Sequence, residues 1–169
     1  MTAPAKVLRS AAIGFALGLS WGVAARVWMR LIATDPEFTW TGTGMILGST
    51  AIGGLVLGFL HGARRAGWSR AWRLLGLCWL LVFAGPGIVF LPVFYLGGLL
   101  SFHRGWQKAA GAAGMASGVV LLWLTTRQDP PSSYTTLYGG FFVLSLALAA
   151  GGAELYRPTG SVRRELVRQ

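Results

Sequence analysis

Residues 74–102 read LLGLCWLLVFAGPGIVFLPVFYLGGLLSF, and this segment decides how many times the chain crosses a membrane. It has no charged residue over 29 positions, whereas a helix needs about 20 apolar residues to span a bilayer. Gly85, Pro86 and Gly87 lie near its middle, and proline and glycine there favour a break in the helix. The segment is therefore either one long kinked helix or two shorter helices joined at Gly85-Pro86-Gly87.

Further apolar segments of spanning length lie on both sides of this central one. With the central segment divided in two, the predicted spans are residues 11–32, 42–60, 68–84, 88–108, 109–126 and 134–155. The loops between them are short and hold proline, glycine and charged residues. The sequence thus predicts an all-α integral membrane protein, a six-crossing helical bundle in which residues 1–156 form a single transmembrane domain.

Basic residues distinguish six crossings from five, because Lys and Arg in short loops prefer the cytoplasmic side. With five crossings, seven basic residues lie inside and eight outside. With six crossings, three lie towards the outside, and twelve lie inside: Lys6, Arg9, Arg64, Arg65, Arg70, Arg73, Arg104, Lys108, Arg157, Arg163, Arg164 and Arg168. The bias favours six crossings, with both termini cytoplasmic and residues 157–169 as a basic cytoplasmic tail.

The two middle spans are short, and this leaves an alternative open. Residues 68–84 cover only 17 positions, and Trp68 and Trp72 at their start are residues typical of the membrane interface. The alternative is a frame of four transmembrane helices with a re-entrant hairpin at Gly85-Pro86-Gly87. Non-helical backbone at membrane depth is tolerated where protein or water covers it. Both arrangements have the same orientation.

The composition excludes several classes of protein. Only 12% of the residues are charged, against about 25% in a soluble domain, and 54% are hydrophobic. The net charge of +10 does not indicate nucleic-acid binding, because the basic residues lie in short clusters between apolar segments. A single cysteine, Cys78, permits neither an intrachain disulfide nor a thiolate metal cluster.

Glycines at four-residue spacing indicate how the helices pack. The rows are Gly14, Gly18 and Gly22; Gly44 and Gly48; Gly54, Gly58 and Gly62; and Gly114 and Gly118. A four-residue step returns nearly to the same helix face, and small residues there allow helices to approach closely in lipid. The first interpretation is glycine-zipper packing within one chain. The second is a seam with a second copy or a partner membrane subunit.

Arg26 and Arg30 are the candidate ligand-binding residues. They lie four positions apart, so they share one side of the first helix, and they continue the glycine row that should face protein. Asp35 and Glu37 follow as counter-charges. We expect an outward-facing recess for an anion or lipid headgroup, since charged side chains within a span tend to face protein or water. The alternatives are snorkelling arginines and a helix cap formed by Thr34 or Asp35 with Glu37.

The other polar residues indicate no catalytic, metal or cofactor site. His61 and His103 are the only histidines, and two such ligands without a nearby carboxylate or thiolate predict neither a metal nor a haem. Glu154 lies at the end of the last span beside Arg157. It is either a proton-relay carboxylate or, as the more common case, part of an interfacial ion pair.

The stretch from Ala25 to Ile32, ARVWMRLI, and the following DPEFTW resemble a segment of uncharacterised bacterial, actinobacterial-type small polytopic membrane proteins. The resemblance covers about 20 residues around Ala25 to Trp40. It implies a bacterial inner-membrane setting and no assigned activity.

These observations favour a non-enzymatic polytopic protein in the lipid bilayer, an accessory subunit or a small transporter or channel component. The alternative is a membrane enzyme that acts on a lipid headgroup at the outer face. Such an enzyme needs a base or nucleophile beside Arg26 and Arg30, and only Asp35, Glu37 and Asp129 are available on that side.

Overall fold

The computed structural model describes residues 3–35, 39–83 and 86–158. Over these residues the chain is helical and contains no strand. The helices are α1 (Ala3–Ile32), α2 (Trp40–Arg65), the short α3 (Trp79–Val82), α4 (Gly105–Thr126) and α5 (Tyr134–Gly152). α1, α2, α4 and α5 are long and apolar enough to cross a membrane. The prediction of an all-helical protein of membrane type is confirmed at this level.

The long helices differ in their bounds from the predicted spans. α1 begins at Ala3 rather than near Ala11, so Lys6 and Arg9 lie on the helix itself. α2 begins at Trp40, and its N-cap is Thr39, whose side chain accepts a hydrogen bond from the amide of Gly42. The expected cap at Thr34 or Asp35 is therefore wrong for this helix, because those residues lie too far from its first turn.

α1 and α2 run antiparallel and pack through their glycines. If Gly14 carried a Cβ, that atom would lie 2.7 Å from the Cα of Gly58. A Cβ on Gly18 would lie 2.8 Å from the Cα of Gly54. Real Cβ atoms essentially never come within 3.0 Å of such neighbours, so only glycine allows the two backbones to lie this close. Gly44 and Gly48 are different, because nothing lies within 4 Å of a Cβ there.

Residues 70–83 and 86–101 form the two arms of a hairpin of irregular helix, which we call the central hairpin. Its first arm is a 3₁₀ helix, Arg70–Cys78, followed by α3. Its second arm contains the 3₁₀ helix Pro86–Phe90, the π-helix Val93–Gly97 and the 3₁₀ helix Gly98–Ser101. The predicted span at residues 88–108 is wrong at its C-terminal boundary. Phe102 has an extended backbone, and the next helix, α4, already begins at Gly105.

The central hairpin forms the core of the bundle. Its arms meet through Trp79 and Phe94, whose rings stack with centroids 4.7 Å apart, and Tyr95 Oη donates to the Gly76 carbonyl oxygen at 3.0 Å. Phe90 of the second arm stacks on Phe141 of α5 at 5.2 Å. Phe90 and Phe94 are at most 1% exposed, so the hairpin is enclosed by the long helices on this side.

The second arm of the hairpin runs antiparallel to α4 and packs on the glycine row Gly114 and Gly118. Gly114 lies beside the Pro92 carbonyl oxygen, and Gly118 lies beside Val89 and Val93, with 2.7–2.9 Å to the position of an added Cβ. Gly118 is eight residues from the end of α4, which corresponds to about 12 Å. Val89, near the tip of the hairpin, therefore lies well short of that end.

The bundle has two ends that differ in what they hold. The terminal end contains the start of α1, the end of α2, the start of α4 and residues 153–158 after α5. The distal end contains the α1–α2 and α4–α5 connections, where Ser132 donates its amide to the Ile32 carbonyl oxygen at 3.0 Å. The beginning of α1 and residues 153–158 are thus on the same side of the bundle.

Candidate functional site

Arg26 and Arg30 lie at the distal end, where the structure places them in different surroundings. Arg26 is half-buried, and its Nε donates to Thr43 Oγ1 of α2 at 3.1 Å. Arg30 is exposed on the last turn of α1. The deeper arginine therefore faces protein, in the direction of the glycine row, and its guanidinium is held by a neutral hydroxyl group.

Of the two expected counter-charges, the structure describes only Asp35. Asp35 is exposed, and among the described residues no ion pair joins it to Arg26 or Arg30. Glu37 lies outside the described residues. The described part of the distal end thus shows a half-buried Arg26 bonded to Thr43 and an exposed Arg30, and neither is paired with Asp35.

A cleft of about 1140 Å³ lies at the other end of α1, between α1, α2 and α5. α1 and α5 touch near the distal end, where Trp21 Nε1 donates to the Leu144 carbonyl oxygen at 3.1 Å and Trp28 Nε1 to that of Thr136 at 3.1 Å. Beyond Trp21, towards the terminal end, the space between the two helices is the cleft. α2 forms its back wall.

The deep part of the cleft is apolar. Its lining includes Ile13 and Leu17 of α1, Leu57 of α2, Leu148 of α5 and the closing side chain of Trp21. The glycines of the α1–α2 contact also line it, so the cleft is bounded by backbone as well as by side chains. Such a surface suits a hydrophobic ligand and offers few groups that would orient a polar one.

The mouth of the cleft, at the terminal end, is charged. It is lined by Lys6 and Arg9 of α1, His61 and Arg65 of α2, and Glu154 after α5. Lys6, Arg9 and Arg65 are exposed, and among the described residues none of them lies within ion-pair distance of a carboxylate. The cleft is therefore amphipathic, with an apolar interior and a basic opening.

Glu154 is the centre of a polar network at this mouth. Its Oε2 accepts from Arg64 Nη2 at 2.8 Å and lies 3.2 Å from His61 Nδ1, and its Oε1 accepts from Arg157 Nη1 at 2.6 Å. The Glu154 side chain is only 12% exposed, so these partners offset the cost of burying its charge. Both carboxylate oxygens are occupied, which corresponds to the ion-pair interpretation of this residue.

The same network fastens residues 153–158 to the bundle. Arg64 Nη1 donates to the Pro158 carbonyl oxygen at 3.4 Å, and Arg73 of the hairpin donates to that of Arg157. Tyr156 Oη donates to the Tyr95 carbonyl oxygen, and burial raises the pKa of Tyr156. The phenol therefore stays protonated, and the network holds one wall of the cleft in position.

The histidines are not a metal site in the described residues. His61 belongs to the Glu154 network, whereas His103 is exposed between the hairpin and α4. No group of three His, Cys, Asp or Glu side chains that could hold a metal ion occurs among the described residues.

The sequence reasoning missed the cleft, although a signal for it was present. Lys6, Ser10, Ile13, Leu17 and Trp21 recur at spacings of three or four, so they form one stripe on α1 that changes from polar to apolar. This stripe lies next to the glycine row, and all five residues line the cleft. Only the partner helices show that the stripe borders a space instead of lipid.

Comparison of the chain with protein-family models, with curated proteins and with solved structures finds no match. The fold itself defines the class: a helical protein with four long helices of membrane-spanning length and composition. The resemblance of residues 25–40 to actinobacterial-type membrane proteins stays a prediction.

Proposed function

We propose that the chain is a non-enzymatic, multi-pass membrane protein that binds a hydrophobic or amphipathic molecule of the bilayer, as an accessory subunit or small transporter component. The observation that carries this proposal is the cleft of about 1140 Å³ with an apolar interior and a charged mouth. Ligand pockets commonly measure about 300–1,000 Å³ and are mostly apolar, with few polar groups.

We further propose four crossings with the central hairpin entering from the terminal end. The first arm has nine residues of 3₁₀ helix and four of α-helix, which amount to about 24 Å, less than the roughly 30 Å of a hydrocarbon core. The irregular backbone of the second arm is covered by α4 and α5, as such backbone must be in lipid. This corresponds to the re-entrant alternative and replaces the six-crossing bundle.

The orientation that we propose has both termini in the cytoplasm of a bacterial cell. It is supported by the division of basic residues, of which twelve lie at the terminal end or in the tail and three at the distal end. The mouth of the cleft then opens at the cytoplasmic leaflet. The ligand would reach it from that leaflet or from the cytoplasm.

An outer-face site at Arg26 and Arg30 receives less support. Arg26 already bonds to Thr43, and Asp35 does not pair with either arginine in the described part of the chain. The described residues at that face place no paired carboxylate beside Arg26, and they give no support to an enzyme acting on headgroups there.

A partner subunit or a second copy stays part of the proposal, without help from the glycines. Each glycine of the rows at Gly14, Gly18 and Gly22, at Gly54, Gly58 and Gly62, and at Gly114 and Gly118 packs within the chain. Exposed apolar side chains on all four long helices and on the first arm of the hairpin are the surfaces available to lipid or a partner.

The proposal is tested by filling the cleft. Ala147 is an exposed residue of α5 that lines the cleft, so Ala147→Trp should occupy its interior. Ala116→Trp makes the same change on an exposed position of α4 that does not line it. Native mass spectrometry of the purified protein should show bound lipid or another apolar molecule in the wild type and in Ala116→Trp, and a strong loss in Ala147→Trp. Equal occupancy in all three proteins would contradict the proposal.

A further inference from the structure

We infer that the ligand of the cleft is an anionic lipid of the leaflet at the terminal end, with an acyl chain in the apolar interior and its headgroup between Lys6, Arg9 and Arg65. This inference rests on the proposed function, since it names the class of molecule that the same cleft binds. It commits to a lipid and not to a free anion, because the mouth and the interior form one continuous space.

The charge balance at the mouth favours an anion. Among the described residues, Glu154 is the one carboxylate that lines the cleft, and it is already shared by Arg64, Arg157 and His61. Lys6, Arg9 and Arg65 therefore have no carboxylate partner among the described residues. Three positive charges beside an apolar cavity favour a ligand that carries negative charge at one end.

The positions of the three basic residues suit a single headgroup. Lys6 and Arg9 are three residues apart, so they lie on the same side of α1. Arg65 lies near the end of α2, which is held against the same turn of α1 because Gly62 packs on the Cα of Val7. Two helix ends thus present basic side chains to one opening. Arginine binds phosphate oxygens with two parallel hydrogen bonds, and lysine adds a point charge.

The dimensions of the interior suit an acyl chain. From Lys6 to Trp21 the cleft follows fifteen residues of α1, which corresponds to about 22 Å. One leaflet contributes about 15 Å of hydrocarbon, or about ten residues of helix, so an acyl chain that begins beside Lys6 or Arg9 ends between the levels of Ala16 and Leu19, within the cleft. Ile13 and Leu17 line the cleft and are also 52% and 66% exposed, so the space is open along its side and a lipid can enter from the bilayer.

The test offers two lipids that differ only in the headgroup. The protein is exchanged into mixed micelles with equal amounts of phosphatidylglycerol and phosphatidylcholine that carry identical acyl chains, and native mass spectrometry counts the bound molecules. The wild type should retain phosphatidylglycerol in preference to phosphatidylcholine. Lys6→Gln/Arg9→Gln should reduce that preference about tenfold or more, because each basic residue near a headgroup strengthens its binding several-fold.

The matched control removes one lysine and one arginine from the same end of the bundle. Arg104 and Lys108 are exposed at the start of α4 and do not line the cleft, so Arg104→Gln/Lys108→Gln should keep the preference. If both double variants lose it equally, the preference comes from general attraction to the basic surface and the inference is wrong. Full competition by glycerophosphoglycerol, which has the headgroup without acyl chains, would also overturn it.

The outcomes separate this inference from the proposed function. Equal retention of the two lipids in the wild type, with loss of both in Ala147→Trp, would refute the anionic headgroup and leave the cleft as a site for apolar molecules. No lipid in the wild type, or lipid that Ala147→Trp does not displace, would contradict both.

Discussion

Adding one methyl group at Gly18 should separate α1 from α2. The position that a Cβ would occupy on Gly18 lies 2.8 Å from the Cα of Gly54 and closer still to the Thr50 carbonyl oxygen. Real Cβ atoms essentially never come within 3.0 Å of such neighbours, so Gly18→Ala must move the Thr50 carbonyl oxygen, which lies 2.2 Å away, by at least 0.8 Å. Because the neighbours are backbone atoms of a rigid helix, no side-chain rotation can relieve the clash.

The magnitude follows from the loss of contacts along the pair. A gap of about 0.5–1 Å removes a quarter to a half of the dispersion energy of each contact that it affects. Overpacking of this kind destabilises folded proteins by about 1–3 kcal/mol. The loss of packing is especially important in lipid, because the hydrophobic effect does not drive helices together there and dispersion between them supplies much of the stability.

Gly48→Ala is the matched control, because it makes the same change in α2 where nothing lies within 4 Å of the new Cβ. Alanine in a helix is more stable than glycine by about 0.5–1 kcal/mol, so this variant should be unchanged or slightly stabilised. Gly18→Ala gains the same helix propensity, so the two variants should differ by the overpacking cost alone, about 1–3 kcal/mol in the free energy of unfolding. Titration with SDS in mixed micelles, followed by tryptophan fluorescence, measures that difference. Equal stability of Gly18→Ala and Gly48→Ala would refute the packing of α1 on α2 described here.

Two further predictions concern the terminal end and the hairpin. Glu154→Gln should lower the free energy of unfolding by about 1–3 kcal/mol in the same titration, because two arginines lose their carboxylate, whereas Asp129→Asn, on an exposed residue without an ion pair in the described chain, should change little. The depth of the hairpin is tested by single cysteines in a background without the native Cys78, which are exposed to a membrane-impermeant maleimide. Gln128→Cys should react on intact cells, and His103→Cys should react only after the cells are permeabilised. Gly87→Cys should not react on intact cells, because the tip of the hairpin does not reach the outer surface. Labelling of Gly87→Cys as rapid as that of Gln128→Cys would restore the six-crossing arrangement.

The sequence by itself determined the class of the fold. Four long segments with few charges can satisfy their backbone in lipid only as helices, and this requirement depends on each segment alone. The spacing of Gly14, Gly18 and Gly22 likewise marks a close helix contact, because four residues bring the chain back to nearly the same face. Both features are local, so periodicity and composition were enough to predict them.

Only the tertiary structure decided the role of the central hairpin and the location of the cleft. Composition makes residues 74–102 look like a pair of spans, but Phe90 and Phe94 are buried between α4, α5 and the other arm, which no local pattern specifies. The cleft exists because α1 and α5 touch at Trp21 and Trp28 and leave space beyond them. Whether a stripe of α1 faces lipid, protein or a cavity depends on residues more than a hundred positions away, and the sequence of α1 does not contain that information.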